Sequence, residues 1–229
     1  MRYLGGKART WKEIVKYLES MRQPEQEYLE PFVGGSWVLQ GMSGKRIASD
    51  ANESLINMYI ALQNGWVPPS VITSEIYQSL KATQDPTDPL TAFVGFGVSF
   101  GGKWFGGFAN SSDRNYASNA KNSLLKKLQA IEEVEFKHCS YLDYSPENLL
   151  IYCDPPYANT TGYSGVGQFD SVLFWDTMRQ WSNNNTVVIS EYVAPNDFIC
   201  VKEMHTKTDM HTNSGKEARV EKLFMYNKC

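Results

Sequence analysis

The sequence predicts an α/β fold with a mainly parallel sheet, because short apolar runs alternate with amphipathic helical patterns. The strand-like runs are 28–29, 46–48, 149–153 and 186–190, and the helical patterns cover 10–21, 53–63 and 171–182. Continuous apolar runs of this kind are typical of parallel strands that are covered by helices on both faces. We therefore expect one core domain built from alternating strands and helices.

A glycine-rich segment interrupts this alternation in the middle of the chain. Prolines and glycines open the segment, and residues 93–109 are dense in glycine and aromatic residues. This aromatic content is too high for a solvated linker, so the segment is predicted to be ordered, with irregular connections. The expected organisation is a core domain of residues 1–64 and 129–229 with an inserted lobe of residues 65–128.

Composition narrows the possible functional classes. The 229 residues contain no apolar run of membrane-spanning length, and the N-terminus lacks the apolar segment of a signal peptide. We therefore expect a cytoplasmic protein without a membrane partner. The four cysteines and three histidines show no CxxC, HxxxH or HExxH spacing, so no metal site is predicted.

The charged residues are distributed unevenly along the chain, although the net charge is only −3. Residues 1–22 hold six basic and two acidic side chains, and residues 93–128 hold five basic and one acidic. Such segments can form a basic face that contacts phosphate groups. Ordinary solvated helix faces explain the same distribution.

The sharpest motif is Asp154-Pro155-Pro156-Tyr157, directly after the strand-like run at 149–153. At the carboxyl end of a strand, two prolines hold an extended turn beside a carboxylate and an aromatic ring. Such a turn can clamp a planar amine, because Asp154 and the Pro155 carbonyl can accept its two N–H bonds and favour a lone pair that faces a methyl donor. Tyr157 can stack on a base rotated out of a duplex. A strand-ending turn with a packed tyrosine explains the same residues.

A second motif, EPFVGGS at 30–36, follows the first strand-like run. Glycines such as Gly34 let the backbone approach a ligand, and Phe32 can border an adenine or a methionine chain. Asp50 ends the second strand, where an acid can accept both hydroxyls of a ribose. Alternatively, Asp50 or Asn52 is the N-cap of the following helix.

The N-terminal segment YLGGK places Tyr3 and Lys7 four residues apart around a glycine turn. With the motifs above, it resembles the Dam-type family of DNA adenine-N6 methyltransferases. That family carries, in order, an aromatic-x-Gly-Gly-Lys segment, E-P-F-x-G, an Asp-x-Asn segment, a target-recognition insertion and D-P-P-Y. The chain matches this order with YLGGK at 3–7, EPFVGG at 30–35, DANESLIN at 50–57 and DPPY at 154–157.

The resemblance implies a Rossmann-like sheet with helices on both faces, S-adenosylmethionine as cofactor and double-stranded DNA as partner, with no obligate protein partner. It implies that the cofactor is contacted by Tyr3, Lys7, Phe32, Gly34, Asp50 and Asp154. It also implies that the target adenine is held by Asp154, Pro155, Pro156 and Tyr157.

The similarity continues beyond DPPY. TGYSGVGQF at 161–169 resembles the loop that closes over the flipped base, and VVISEY at 187–192 and EKLFMYN at 221–227 resemble the last strands. One departure is Glu191, where the family often has Asn. The compact chain resembles solitary methyltransferases, including those carried by bacteriophages. The glycine-rich insertion leaves the recognised DNA sequence open.

The inserted lobe is expected to contact DNA, because its basic residues accompany five aromatic residues. The predicted DNA contacts are Lys103, Arg114, Lys121 and Lys126. A core has no use for the lysines of this segment, which include Lys127, whereas a buried mini-core explains the aromatic residues equally well.

Other functional classes stay open at this point. Amino-methyl transfer to cytosine N4 or to an RNA base needs similar geometry, although motif order favours adenine in DNA. Protein glutamine methyltransferases resemble one another in having Asn where this chain has Asp154. A non-catalytic DNA-binding module is a further alternative, disfavoured because Lys7, Asp50, Asp154 and Tyr157 are all present. For an active enzyme we expect direct transfer without a metal or a covalent enzyme intermediate.

Overall fold

The computed structural model describes residues 1–156, 169–206 and 219–228. In chain order, the elements are α1 (Trp11–Met21), β1 (Tyr28–Glu30), β2 (Arg46–Asp50), α2 (Glu53–Gln63), α3 (Ser74–Thr83), α4 (Pro89–Ala92), α5 (Tyr116–Ile131), β3 (Glu135–His138), β4 (Leu150–Cys153), α6 (Ser171–Ser182), β5 (Thr186–Glu191), β6 (Phe198–Thr206) and β7 (Arg219–Tyr226). Short 3-10 turns lie at Leu39–Gly41, Phe100–Gly102 and Tyr141–Asp143, and a π-turn lies at Phe93–Gly97. None of the helices in the described ranges is long and apolar enough to cross a membrane.

The strands form one seven-stranded sheet in the order β3-β2-β1-β4-β5-β7-β6. The pairings from β3 to β5 are parallel, and β7 is antiparallel to both β5 and β6. The mainly parallel sheet and the four strand-like runs are thereby confirmed. The apolar pattern does not predict β3 and β6, which lie at the edges of the sheet, where less apolar surface is buried. It does not predict β7 either, which was expected only from the resemblance of residues 221–227 to a last strand.

Several helices, α2, α5 and α6 among them, begin at polar residues that cap them. The side chain of Asn52 accepts from the Leu55 N–H at the start of α2, and Asn115 accepts from the Ser118 N–H at the start of α5. Asp170 accepts from two backbone N–H groups at the start of α6. Such caps satisfy donors that have no partner inside the helix. The helices predicted at 53–63 and 171–182 are both confirmed.

Two hydrophobic clusters cover opposite faces of the sheet. Successive strand residues point to opposite faces, so Tyr28 belongs to the first cluster and its neighbour Leu29 to the second. Helices α1, α2 and α5 contribute to the first cluster, and α6 supplies Phe174 and Met178 to the second. Helices therefore lie on both faces, as the sequence predicts.

The predicted lobe contributes to the core as well as to the surface. Phe93 and Phe96 of the π-turn and Leu124 of α5 are fully or almost fully buried in the first cluster. Helix α5 continues to Ile131, across the predicted boundary at residue 128. The division into a core domain and an inserted lobe stays a prediction.

Candidate functional site

The predicted site residues lie where three adjacent parallel strands end. Strand β1 lies between β2 and β4 and ends at Glu30, β2 ends at Asp50, and Asp154 directly follows β4. The carboxyl ends of parallel strands lie at the same edge of a sheet, and ligands bind where the strand order reverses, which is here between β1 and β4. Three motifs that are far apart in the sequence therefore meet at one crevice.

The turn after β1 requires glycine at position 34. Gly34 has a φ of 42°, in the left-handed region that glycine adopts readily. Its N–H donates to Oδ2 of Asp50 at 3.0 Å, and its carbonyl accepts from the Tyr59 hydroxyl at 2.8 Å. A Cβ atom at this position would lie 2.8 Å from the ring of Tyr3. The turn is thus held from both sides while the Tyr3 ring packs directly against it.

Asp50 supports this turn and does not cap α2. The N-cap of α2 is Asn52, whose Oδ1 accepts from the Leu55 N–H at 2.9 Å. Asp50 accepts from the N–H of Gly34 and, at 3.0 Å, from the N–H of Asn52. Burial raises the pKa of Asp50, and these two hydrogen bonds oppose the rise. The interpretation of Asp50 as a helix cap is therefore wrong, and its carboxylate keeps lone pairs for further donors.

The N-terminal segment packs against the same turn. The ring of Tyr3 lies 4.7 Å from the ring of Phe96, centroid to centroid. The Leu4 N–H donates to the Gly102 carbonyl at 3.1 Å. Lys7 is only 3% exposed, so the segment from 3 to 7 is an ordered part of the site.

Lys7 and Asp154 form an ion pair across the site. The Lys7 Nζ atom lies 2.7 Å from Oδ1 of Asp154, whose side chain is 19% exposed. Burial raises the pKa of Asp154 to about 6, although the neighbouring Lys7 ammonium lowers it. Asp154 is therefore mostly ionised at neutral pH, when a carboxylate acts only as a hydrogen-bond acceptor.

Two further acids surround this ion pair, and the sequence analysis assigned no role to either. Glu221 on β7 lies 3.4 Å from the Lys7 Nζ atom. Glu191 at the end of β5 is buried, and Glu221 and Glu191 both raise the pKa of Asp154. Two carboxylates, those of Asp154 and Glu221, therefore lie within 4 Å of the Lys7 ammonium group, and Glu191 is close enough to raise the pKa of Asp154. Glu191 could have been suspected from its departure from the family pattern, whereas nothing in the local sequence singled out Glu221.

Phe32 lies in an aromatic cluster beside the turn. Its ring is 5.2 Å from Tyr141, 5.9 Å from Phe174 and 6.3 Å from Phe169, between centroids. Packed rings at these distances form a stable apolar surface. The cluster gives the crevice an apolar wall next to its acidic residues.

Glu30 is another buried acid for which the sequence motifs predict no role. It is 2% exposed, and its Oε2 atom accepts from the Tyr28 hydroxyl at 2.8 Å. Burial raises the pKa of Glu30 to about 8, and the nearby Asp154 carboxylate adds to the rise. Glu30 is therefore mainly protonated at neutral pH and adds little charge to the crevice.

Part of the DPPY motif and the predicted closing loop lie outside the described residues. Pro155 is buried and Pro156 is half-buried directly after Asp154. Tyr157 and residues 161–168 fall outside the ranges that the structure describes. The role of Tyr157 stays a prediction.

The predicted DNA contacts are spread over the lobe. Lys103 and Arg114 are exposed, on the glycine-rich segment and just before α5. On α5, Lys126 is exposed, whereas Lys121 is half-buried and its Nζ atom lies 3.1 Å from the Ser70 hydroxyl. Lys121 and Lys126 point about 140° apart around the helix, so the two lysines face different directions. Their contacts with DNA stay a prediction.

The aromatic residues of the lobe are mostly packed. Phe105 is 5% exposed, and Trp104 lies 4.8 Å from the ring of Phe96. Phe108 lies 5.2 Å from the ring of Tyr77. By contrast, Phe100 is 74% exposed on its 3-10 turn. The mini-core interpretation therefore holds for Trp104, Phe105 and Phe108, while Phe100 has its ring in solvent.

Within the described ranges, no group of three or more His, Cys, Asp or Glu side chains is placed to hold a metal ion. The prediction that the reaction needs no metal is left for experiment.

Comparison with known families agrees with the motifs. Residues 3–93 match the family model of D12 class N6 adenine-specific DNA methyltransferase. This match contains the YLGGK, EPFVGG and DANESLIN motifs, and Asp154 lies beyond it. A search of curated proteins found no match. The resemblance predicted from the motifs is therefore confirmed over residues 3–93, which match an enzyme family that methylates N6 of adenine in DNA.

Proposed function

We propose that this protein transfers the methyl group of S-adenosylmethionine to N6 of an adenine that has been rotated out of double-stranded DNA, at a specific sequence. The contact between Lys7 and Asp154 carries the proposal. It joins the first and the last family motifs across 147 positions of sequence, at the edge of the sheet where ligands bind.

The residues at this edge fit S-adenosylmethionine. Asp50 has lone pairs left for the ribose hydroxyls, and the ring of Phe32 suits the adenine or the methionine chain. The negative charge around Asp154 and Glu221 favours a cationic sulfonium group. When bound, the cofactor supplies a methyl group that is already activated by the positive charge on sulfur.

Asp154 is the proposed acceptor for the target amine. The ion pair with Lys7 engages Oδ1 and orients the carboxylate, so that Oδ2 can accept an N–H bond from adenine N6. The Pro155 carbonyl accepts the second N–H bond. As the N6 lone pair would form the new bond to the methyl carbon, the carbon–sulfur bond would break and its electron pair would leave with S-adenosylhomocysteine. The ionised carboxylate would stabilise the positive charge that N6 gains. With its pKa of about 6, Asp154 can then accept the proton that N6 releases and pass it to water.

Incubation with tritiated S-adenosylmethionine and unmethylated plasmid tests the proposal. We expect label in adenine, as N6-methyladenine, after digestion of the DNA to nucleosides. Asp154→Ala is the inactive control, and Asp176→Asn, at an exposed carboxylate that pairs with Arg179 on α6, is the matched active control. Long-read sequencing of the same plasmid would identify the methylated site.

Each alternative has its own outcome in this assay. Label in cytosine, or label only when RNA is supplied, would contradict adenine in DNA as the substrate. Binding of the plasmid without any incorporation would indicate a non-catalytic DNA-binding module. Incorporation at adenines without regard to sequence would contradict a specific target.

A further inference from the structure

Lys127 on α5 is a buried lysine that has no part in the proposed methyl transfer. It is 2% exposed and belongs to the buried face of the helix, together with Ala120, Leu124 and Ile131. The preceding residue, Lys126, is exposed. The reasoning that a core has no use for the lysines of this segment is therefore wrong for Lys127.

The Lys127 ammonium group contacts three consecutive residues of the turn after β1. Its Nζ atom donates to the Gly35 carbonyl and lies 3.5 Å from the Ser36 hydroxyl. The same atom lies 3.7 Å from the centroid of the Trp37 ring, a cation–π contact. All of these contacts fall on the turn that also contains Gly34, a predicted cofactor contact.

The conformation of this turn needs support. Gly34 and Ser36 have φ angles of 42° and 52°, and the second of these is uncommon for a residue with a side chain. The Gly35 carbonyl that Lys127 binds lies between them. Asp50 and Tyr59 hold the Gly34 peptide, so that β2, α2 and α5 each contribute one side chain to the turn.

The stability of the fold does not account for a lysine at this position. Burial lowers the pKa of Lys127 to about 7, because the protein interior disfavours its charged form, and the nearby Glu30 opposes this effect only when it is ionised. An apolar residue at this position would remove the cost of burying the charge and would leave the Gly35 carbonyl without this donor, two effects that oppose each other. The contacts of Lys127 with the turn after β1 indicate instead that this lysine supports the conformation of the turn.

We propose that Lys127 is a positioning residue for cofactor binding, which holds the Gly35 carbonyl so that the turn keeps the shape that S-adenosylmethionine requires. This inference rests on the proposed function, because it assumes that the turn holds the cofactor. The side chain itself is buried and acts only through the backbone of the turn.

The test compares the parental protein with Lys127→Met and measures the affinity for S-adenosylhomocysteine by calorimetry. We expect the affinity to fall about tenfold, the usual effect of losing one charged hydrogen bond. The rate of a single turnover at saturating cofactor should stay within about twofold, because the turn does not contact the reacting atoms. The melting temperature should not fall.

Leu124→Ala is the matched control, because Leu124 lies one turn earlier on the same face of α5 and is 1% exposed. This change should lower the melting temperature and leave the affinity unchanged at temperatures where the variant is folded. Equal loss of affinity in both variants would refute the inference, because any damage to α5 would then have the same effect. Lys127→Gln is the second variant and should also bind more weakly.

The remaining outcomes also decide the question. Unchanged affinity in a folded Lys127 variant would refute the inference while leaving the proposed function intact. Failure of both Lys127 variants to fold would also refute it, because stability would then explain the lysine. A parental protein that does not bind S-adenosylhomocysteine would contradict the proposed function itself.

Discussion

Replacing Asp154 by Ala is expected to lower kcat by roughly 10²-fold or more, the usual cost of removing one preorganised polar group at a reacting centre. The carboxylate is oriented by Lys7 at 2.7 Å, so the charge that develops on the amine meets an acceptor already in place. The assay is single-turnover methylation of a plasmid at saturating cofactor, compared with Asp176→Asn. A folded Asp154→Ala variant that methylates at the parental rate would remove Asp154 from the mechanism.

The pH dependence of the parental enzyme tests the same residue. Because burial raises the pKa of Asp154 to about 6, the carboxylate is protonated and inactive in more acidic solution. We expect kcat to fall about tenfold per pH unit below that value and to level off above it. A profile that stays flat down to pH 5 would show that the ionised carboxylate is not required.

The free energy of unfolding should fall as the pH rises towards 6, the range in which kcat should increase. The shift in the pKa of Asp154 from 3.8 to about 6 means that the ionised form costs the folded protein about 3 kcal/mol. The stabilisation by the protonated form is present below pH 3.8 and is lost as the pH rises through about 6. Asp154→Asn should therefore melt no lower than the parental protein at pH 8. A large fall in its melting temperature would show that the ion pair with Lys7 outweighs the cost of burial.

Three further predictions concern the cofactor, metals and DNA. Asp50→Ala should weaken S-adenosylhomocysteine binding in calorimetry with little effect on single-turnover chemistry at saturating cofactor, because ribose contacts are the same in ground and transition states; unchanged affinity would leave Asp50 as support for the turn only. Full activity should persist in EDTA, and a loss that a divalent metal restores would overturn metal-free transfer. Lys121→Ala and Lys126→Ala should each weaken binding to every DNA sequence and lower the salt dependence by about one unit, whereas substitution of Lys103 or Arg114 should alter site choice; four variants with parental affinity, salt dependence and site choice would exclude the lobe from the DNA surface.

The sequence by itself determined the fold class, the central strands and the resemblance to the D12 class over residues 3–93. The central strands are buried on both faces, so their apolar runs identify them without reference to distant residues. Helices α2 and α6 begin after Asn52 and Asp170, polar caps that act within a few residues. The motifs could be identified for a similar reason, because each one is a short contiguous segment.

Only the tertiary structure decided which residues surround these motifs. Glu221 meets Lys7 because β7 pairs with β5, and such pairing depends on residues far away in sequence. Lys127 and its exposed neighbour Lys126 differ only in which side of α5 they occupy, and that side is set by the packing of the whole helix. The aromatic residues of the lobe likewise required the structure, because packed and exposed rings have the same composition. Contacts between distant segments depend on how the whole chain folds. Local sequence patterns therefore do not predict them.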